Sequence, residues 1–260
     1  MFYPSTLFKR KEKIITFGNY MFLFGVFLLP SALPVSGLLF LICIFISYFK
    51  NQNISLKDKS NYPLFVSIGL IFFSCLNITL ISKSELLSSY STNLIWFNLF
   101  NWIPMFFLYW GLQCYLINSS QRLLFIKYLV AGTFPVILSC IFQKYFNWYG
   151  PYETFYGLIV WFQKPIYNPG GGISGLFSNP NYTGIWLAVN FPFSLFLLKQ
   201  TKNHLNTKLI LLLFCIAITL MAYFTQSRNA FLGILIALIT LFGFRKFFYF
   251  LLITLSTFLL

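Results

Sequence analysis

Apolar stretches close to the length of a membrane span recur along the whole 260-residue chain. A helix needs about twenty apolar residues to cross the hydrocarbon core of a bilayer. Hydrophobic residues make up 58% of the sequence and charged residues only 8%, so one water-soluble core cannot bury all the apolar side chains. Outer-membrane strands alternate apolar and polar residues, and the sequence shows no such alternation. The sequence therefore predicts an all-α, polytopic transmembrane helical bundle.

We expect about nine membrane helices in a single transmembrane domain covering residues 1–260. Their expected ranges are 14–30, 34–49, 62–82, 97–116, 123–142, 180–198, 209–225, 228–244 and 247–260. The basic run at residues 8–13 resembles the start of a signal peptide. Because its cleavage pattern is weak and a second apolar run follows at once, we expect an uncleaved first helix.

The basic residues favour one orientation of this bundle. With the amino terminus in the cytoplasm, 14 of the 18 lysines and arginines fall in inner segments, and only Lys83, Lys144, Lys164 and Arg228 lie outside. This distribution follows the positive-inside rule, so we expect a multi-pass protein with its amino terminus in the cytoplasm, embedded among membrane lipids. The basic residues form no continuous stripe, so the net charge of +14 does not indicate nucleic-acid binding.

Neither a metal site nor a disulfide is expected from the sequence. The single histidine, His204, is expected in a solvated inner segment, and the outer carboxylates Glu85 and Glu153 are not spaced for acid–base chemistry or metal binding. The cysteines all lie in apolar runs without a CxxC pair, and we expect them to be small core residues. They are Cys43, Cys75, Cys114, Cys140 and Cys215.

The longest connector, residues 143–179, is expected to form an outer, periplasmic loop rich in aromatic side chains. Amphipathic aromatic rings settle at the level of lipid headgroups. The segment FYGLIVWF at residues 155–162 is therefore predicted to form a short helix that lies on the membrane or dips into it.

This connector ends in a glycine-rich stretch, GGGISGLFSNPNYTGIW, at residues 170–186. Asn179 followed by Pro180 predicts a helix start, because asparagine is a good N-cap and proline fits the first helical turn. Glycines such as Gly172 and Gly175 allow a ligand to approach the backbone, and a helix amino terminus attracts anions. A phosphate would suit this stretch. The alternative is a simple turn between two helices.

A second polar element, TQSRNAFLG at residues 225–233, is expected on the same side of the membrane. Ser227 is a candidate N-cap, and Arg228 lies at the membrane boundary, where an arginine usually has a partner or a role. Its guanidinium group matches the geometry of phosphate oxygens. The alternative is that Arg228 reaches towards lipid headgroups. Tyr182 and Trp186 are expected to pack within the bundle, with sugar stacking as the alternative.

The two motifs together resemble the O-antigen ligase and O-antigen polymerase family of bacterial inner-membrane glycosyltransferases. The likeness covers residues 172–240 and includes the pattern G-x-F-x-N-P-N followed by a Ser-Arg pair that opens a later helix. It implies a GT-C-like fold and metal-independent transfer, without a cofactor, of a glycan from undecaprenyl pyrophosphate to an acceptor hydroxyl. The acceptor would be the lipid A core or another glycan at the periplasmic face.

The same resemblance implies roles for individual residues. Arg228 would be the catalytic arginine that holds the donor pyrophosphate. The implied substrate-binding residues are Gly172, Gly175, Asn179, Asn181 and Ser227.

Two departures from that family are visible in the sequence. Family members often carry an arginine near the position of Gly172, and they usually continue into a large periplasmic loop with a catalytic histidine. This sequence stops before such a loop, so the C-terminal catalytic loop is expected to be missing, and the chain is expected to be either a fragment of a longer gene product or a member that no longer catalyses transfer.

Two other functions are compatible with the sequence. One is a membrane transporter of a small anion such as bicarbonate, as some relatives in the family are described. The other is a non-catalytic subunit of polysaccharide assembly. Transport needs polar groups near the membrane midplane, and the candidates are few. They are Asn77, Asn101, Gln113 and Asn190.

Overall fold

The computed structural model describes residues 4–49, 59–81, 92–166, 171–201 and 204–245. These residues form eight α-helices, two short 3-10 helices and one two-stranded sheet. The α-helices are α1 Pro4–Leu28, α2 Leu33–Phe49, α3 Tyr62–Ile81, α4 Thr92–Leu112, α5 Ser119–Tyr145, α6 Pro180–Gln200, α7 Leu205–Phe224 and α8 Arg228–Phe242. The 3-10 helices are Lys59–Asn61 and Gln113–Tyr115, and the strands are β1 Tyr152–Thr154 and β2 Ile159–Trp161.

The predicted helical class is confirmed, and each of the first eight predicted ranges contains a helix. The ninth predicted range, 247–260, lies outside the described residues. The largest difference in bounds is at α1, which begins at Pro4 rather than at residue 14. Lysine, arginine and glutamate are good helix formers, so the polar run at residues 8–13 is part of the helix. A prediction from apolar runs misses this segment because it is polar.

Three of the described helices are long and apolar enough to cross a membrane: Tyr62–Leu80, Ser119–Tyr145 and Leu205–Phe224. Three shorter apolar helices are Lys13–Leu28, Leu33–Ser47 and Arg228–Phe242. The prediction of nine spans is therefore not reproduced by the described helices. Large apolar side chains are exposed on α3 and α7, including Leu70 at 66% and Ile210 at 64%. Such faces favour lipid over water, and they indicate a membrane protein.

The chain divides into two compact units, and the first contains Met1–Phe22 and Leu38–Arg122. In this unit α3 packs against α4. The buried Tyr115 hydroxyl donates to the carbonyl oxygen of Cys43 at 2.8 Å, and its ring stacks on Phe22 at 5.0 Å between centroids. These contacts tie the polypeptide that follows α4 to the two amino-terminal helices.

The second unit contains Leu23–Gly37 and Leu123–Leu260, and in it α6 packs against both α7 and α8. Its core includes the fully buried side chains of Leu187, Ile218 and Ala230, one from each of these three helices. Lys199, near the end of α6, donates to the carbonyl oxygen of Leu241 at 3.1 Å. A lysine is favourable there because the last carbonyl groups of a helix lack partners within the helix.

Residues 155–162 do not form the predicted surface helix. Phe155, Tyr156 and Gly157 have φ of 52°, 56° and 81°, and three consecutive left-handed residues cannot belong to a right-handed helix. They turn the chain, so that β2 pairs with β1 in antiparallel register. Isoleucine, valine and tryptophan favour strands, which explains why the apolar segment pairs as a sheet. The prediction of a helix here was wrong.

Candidate functional site

A buried glutamine near the end of α5 anchors the polar connector that precedes α6. Gln143 donates through Nε2 to the carbonyl oxygen of Lys164 at 2.7 Å and to Ser174 Oγ at 3.2 Å. Its Oε1 accepts from the backbone N–H groups of Ser174 and Gly175 at 3.0 and 2.8 Å. The Gln143 side chain thus forms hydrogen bonds with two separate parts of the connector, and it holds residues 164 and 174 close to each other.

Backbone hydrogen bonds continue this arrangement. The N–H of Phe162 donates to Leu176 at 3.2 Å, and the N–H of Gln163 donates to Gly175 at 3.0 Å. The side chain of Gln163 donates to Ser139 Oγ on α5 at 2.7 Å. The connector is therefore a packed layer over the end of α5. Sequence analysis missed both glutamines, although the position of Gln143 at the edge of a long connector, directly after an apolar run, was a usable signal.

The two motifs found in the sequence lie in direct contact. The N–H of Ile173 donates to the carbonyl oxygen of Phe224 at 3.0 Å. A Cβ atom added at Gly172 would overlap the carbonyl oxygen of Thr225, and one added at Gly184 would lie 2.7 Å from Ser227 Cβ. Glycine is required at both positions because α6 and its preceding segment approach the α7–α8 turn so closely. The starts of α6 and α8 are neighbours for this reason.

The start of α6 is capped as the sequence predicts. Asn179 is the N-cap, its side chain accepts from the N–H of Asn181 at 2.8 Å, and Pro180 occupies the first turn. The N–H groups of Tyr182 and Thr183 donate to the carbonyl oxygen of Asn179. These N–H groups are already used within the chain, so α6 attracts an anion through its dipole and through the exposed residues Asn179 and Asn181.

The glycine-rich segment also uses its backbone internally. Gly175 has φ of +51°, and its N–H is held by Gln143 while its carbonyl accepts from Gln163. Gly172 is packed against Thr225. In the structure these two candidate binding residues therefore serve to join the segment to α5 and to the α7–α8 turn.

The start of α8 has a different character. Ser227 occupies the N-cap position, but its side chain makes no capping hydrogen bond. Its Oγ is buried and has no hydrogen-bond partner within the described part of the chain. Arg228, the first residue of α8, is exposed, and no hydrogen bond or ion pair to another described residue is recorded for its guanidinium group. The free cation and the uncapped first turn make this helix start the more electropositive of the two.

A second cation lies close to this turn. Lys144 Nζ lies 5.1 Å from the centre of the Phe224 ring, at the end of α7. The Gln143 contact brings Lys164 to the same end of the unit. Lys144, Lys164 and Arg228 thus gather where the connector meets the α7–α8 turn. Lys83, the remaining basic residue expected outside, lies outside the described residues.

A shallow groove of about 310 Å³ runs between α6 and α8, beginning at Asn229, the residue that follows Arg228 in the chain. Asn229 lies at one end of the groove and Thr240 at the other, and small residues such as Ala188 and Gly233 form its floor. Eleven residues of helix correspond to roughly 16 Å of length. The groove therefore provides an apolar path from the cationic helix start along the two helices.

Other candidate residues take structural positions. The indole N–H of Trp186 donates to Thr133 Oγ1 on α5 at 3.1 Å, which matches its expected packing role, whereas Tyr182 is exposed. The five cysteines are buried, as expected for core residues. His204 is exposed at the start of α7. Among the described residues, no three His, Cys, Asp or Glu side chains are grouped closely enough to hold a metal ion. Glu85 lies outside the described residues.

Two of the polar groups considered for transport make local hydrogen bonds within their own unit. Gln113 donates to Asn61 at 2.9 Å, and Asn190 donates to the carbonyl oxygen of Trp186 at 2.8 Å. Asn77 is exposed on α3, and the side chain of Asn101 lies outside the described set.

Comparison with protein-family models, with curated proteins and with solved structures found no match to this chain. The resemblance to the O-antigen ligase and polymerase family therefore depends on the two sequence motifs alone.

Proposed function

We propose that this protein transfers a glycan from undecaprenyl pyrophosphate to an acceptor hydroxyl, as O-antigen ligases and polymerases do. The acceptor class is the lipid A core or another glycan. The observation that carries the proposal is the exposed, unpaired Arg228 at the uncapped start of α8, held beside the start of α6 by Gly172 and Gly184. A guanidinium group at a helix amino terminus is suited to a diphosphate.

The chemistry requires stabilisation of the leaving group. During transfer the bond between the anomeric carbon and the pyrophosphate oxygen breaks, and the acceptor oxygen forms a new bond to that carbon. The acceptor hydroxyl loses its proton to a base, and undecaprenyl pyrophosphate leaves with the electron pair. Negative charge grows on the pyrophosphate, and a fixed cation beside a helix dipole stabilises such charge. Arg228 supplies the cation in this proposal.

The groove between α6 and α8 supports a lipid-linked anion over a small soluble one. Its lining begins at Asn229, one residue after Arg228, so in this proposal a polyprenyl chain lies along the helices with its pyrophosphate at the start of α8. Bicarbonate has no apolar part to use this groove. Transport has less support, because the described candidates Gln113 and Asn190 already make local hydrogen bonds.

The proposal includes an orientation. At one end of the second unit lie Lys144, Lys164 and Arg228, and Lys127 and His204 line a cavity at the opposite end. We place the Arg228 end at the periplasm and the amino terminus in the cytoplasm of an inner-membrane, GT-C-like bundle, because the larger number of basic residues would then face inward.

Release of undecaprenyl pyrophosphate from a glycan-loaded donor tests the proposal. The purified full-length protein, including any sequence that follows Leu260, is reconstituted in lipid vesicles with donor and acceptor, and the Arg228→Gln variant is compared with Lys208→Gln. Lys208 is an exposed cation in the first turn of α7, at the opposite end of the unit, so its variant controls for loss of charge. We expect release by the wild type and by Lys208→Gln, and release that is at least roughly 100-fold slower by Arg228→Gln. Equal release by both variants would remove Arg228 from the mechanism.

A further inference from the structure

An open cavity in the second unit lies between α5, α6 and α7. Its volume is about 810 Å³, which is within the range of ligand pockets in proteins. Lys127, Thr201, His204 and Thr207 contribute polar groups to the lining, and most of the other lining residues are apolar. Lys127, His204 and Thr207 are exposed, so their polar groups are available to a ligand.

The polar and apolar lining residues are separated along the helices. His204 and Thr207 lie at the start of α7, and Phe214 follows seven residues beyond Thr207. On α5, Phe134 follows seven residues beyond Lys127. Seven residues of helix correspond to roughly 10 Å. A ligand in this cavity therefore meets a cation and polar groups near the start of α7, and aromatic rings farther along both helices.

No carboxylate in the described part of the second unit lies near Lys127. Glu153 is the only acidic residue in the two segments that form this unit. It belongs to β1, which follows the far end of α5 at Tyr145. From Lys127 to Tyr145 the helix extends roughly 27 Å. The charge of Lys127 therefore remains for an anion that does not belong to this unit.

The start of α7 adds to the electropositive character of this end. His204 is the N-cap residue of α7, but its side chain makes no capping hydrogen bond. The first N–H groups of a helix lack partners within the helix, and they attract negative charge. The helix start and Lys127 therefore favour the same kind of ligand group, an anion.

The apolar part of the cavity favours a ligand with a hydrocarbon chain over a free phosphate. Phe134 and Ile210 line the cavity and are 57% and 64% exposed, so a phosphate alone would leave their apolar surfaces uncovered. A glycerophospholipid with a net negative headgroup places its phosphate at the polar end and a hydrocarbon chain over these residues. Basic pockets between membrane helices bind anionic headgroups in this way.

The packing of the helices leaves room for such a chain. α6 packs against α7, whereas the backbones of α5 and α7 come close at few points. Val130 and Phe134 line the cavity from α5, and Leu211 and Phe214 line it from α7. A hydrocarbon chain between these residues would fill a gap that the side chains of the two helices leave open.

We propose that this cavity binds an anionic glycerophospholipid. Its phosphate lies at Lys127 and the start of α7, and one acyl chain runs along Phe134, Leu211 and Phe214. The lipid supplies the counter-ion that Lys127 lacks within its unit. This site lies at the opposite end of the unit from Arg228, and it does not depend on glycan transfer.

Native mass spectrometry of the full chain with phosphatidylglycerol and phosphatidylcholine of identical acyl chains tests the proposal. Both lipids contain a phosphate, but only phosphatidylglycerol has a net negative charge. We expect it to bind roughly tenfold more tightly, as for one charge-assisted contact. Equal binding of the two lipids would overturn the proposal. Glycerol phosphate, an anion without acyl chains, should not displace phosphatidylglycerol at equal concentration. Displacement would assign the cavity to a free phosphate and overturn the lipid proposal.

A pair of variants locates the effect. Lys127→Gln removes the cation that lines the cavity, whereas Lys208→Gln removes an exposed cation in the first turn of α7 that does not line it. Both variants lower the net charge of the protein by the same amount. We expect Lys127→Gln to lose most of the preference for phosphatidylglycerol, and Lys208→Gln to retain it. An equal preference in the two variants would show that the headgroup is not recognised in this cavity.

Discussion

Arg228 is the first residue of α8, and its guanidinium group has no hydrogen-bond or ion-pair partner among the described residues. Lysine carries the same charge but lacks the planar geometry of this group. We therefore predict a graded effect in the donor-release assay. Arg228→Gln should lower turnover by at least roughly 100-fold, the size typical of removing one electrostatic stabiliser of a leaving group. Arg228→Lys should lie between that variant and the wild type, because it keeps the charge alone. Full turnover by Arg228→Gln would disprove the role.

Gly172 lies where the two motifs meet, and an added Cβ would overlap the carbonyl oxygen of Thr225. Overpacking of this kind typically costs about 1–3 kcal/mol. We predict that Gly172→Ala lowers the midpoint of thermal unfolding in detergent. Gly69→Ala is the matched control, because an added Cβ there meets no atom within 4 Å and alanine favours helix over glycine. Equal midpoints for the two variants would mean that the close approach is not needed.

At the scale of residues, the sequence identified local signals better than distant partners. The Asn179 cap followed from its place before a proline, and the structure has that hydrogen bond. Ser227 was placed correctly, but its capping bond is absent because its side chain is buried against Gly184. The role of Gln143 was missed, since its partners are more than twenty positions away in the sequence.

Among the structural elements, the connector between α5 and α6 is joined to α5 by the side chain of Gln143. Gln143→Leu would leave the carbonyl of Lys164 and the N–H of Gly175 without this partner. We predict faster cleavage within residues 146–179 in limited proteolysis, because the connector would separate from α5. Gln200→Leu, at an exposed position at the end of α6, controls for the change in polarity.

The contradicting outcome would be an identical cleavage rate in both glutamine variants. The connector would then be held sufficiently by the Gln163–Ser139 contact, by its backbone hydrogen bonds and by the burial of Ile173 and Leu176 in the core.

Helices were predictable because each contains a long apolar run, whereas the short hairpin was not. The segment at residues 155–162 is aromatic and apolar, and its composition is suited equally to a surface helix or a strand. The left-handed conformations of Phe155 and Tyr156 decide the matter, and neither residue type signals them in the sequence. Strand pairing with Tyr152–Thr154 then follows from the turn.

For the whole molecule, the membrane class follows from composition and is supported by the exposed apolar faces of α3 and α7. The division into two compact units did not follow, because apolar runs mark helices without saying which helices pack together. From the sequence, the two motifs were expected only to lie on the same side of the membrane. Its close contact depends on Gly172 and Gly184, whose neighbours lie 40 or more positions away in the sequence.

The central claim is that the start of α8 faces the periplasm and holds a lipid-linked diphosphate, and cysteine labelling at Asn229 tests it most directly. Asn229 is exposed beside Arg228 and lines the α6–α8 groove, while the native cysteines are buried. In spheroplasts, a membrane-impermeant maleimide should label Asn229→Cys, and added undecaprenyl pyrophosphate should slow this labelling unless Arg228 is also changed to glutamine. Labelling only in inverted vesicles, or at a rate that the lipid does not alter, would contradict the account.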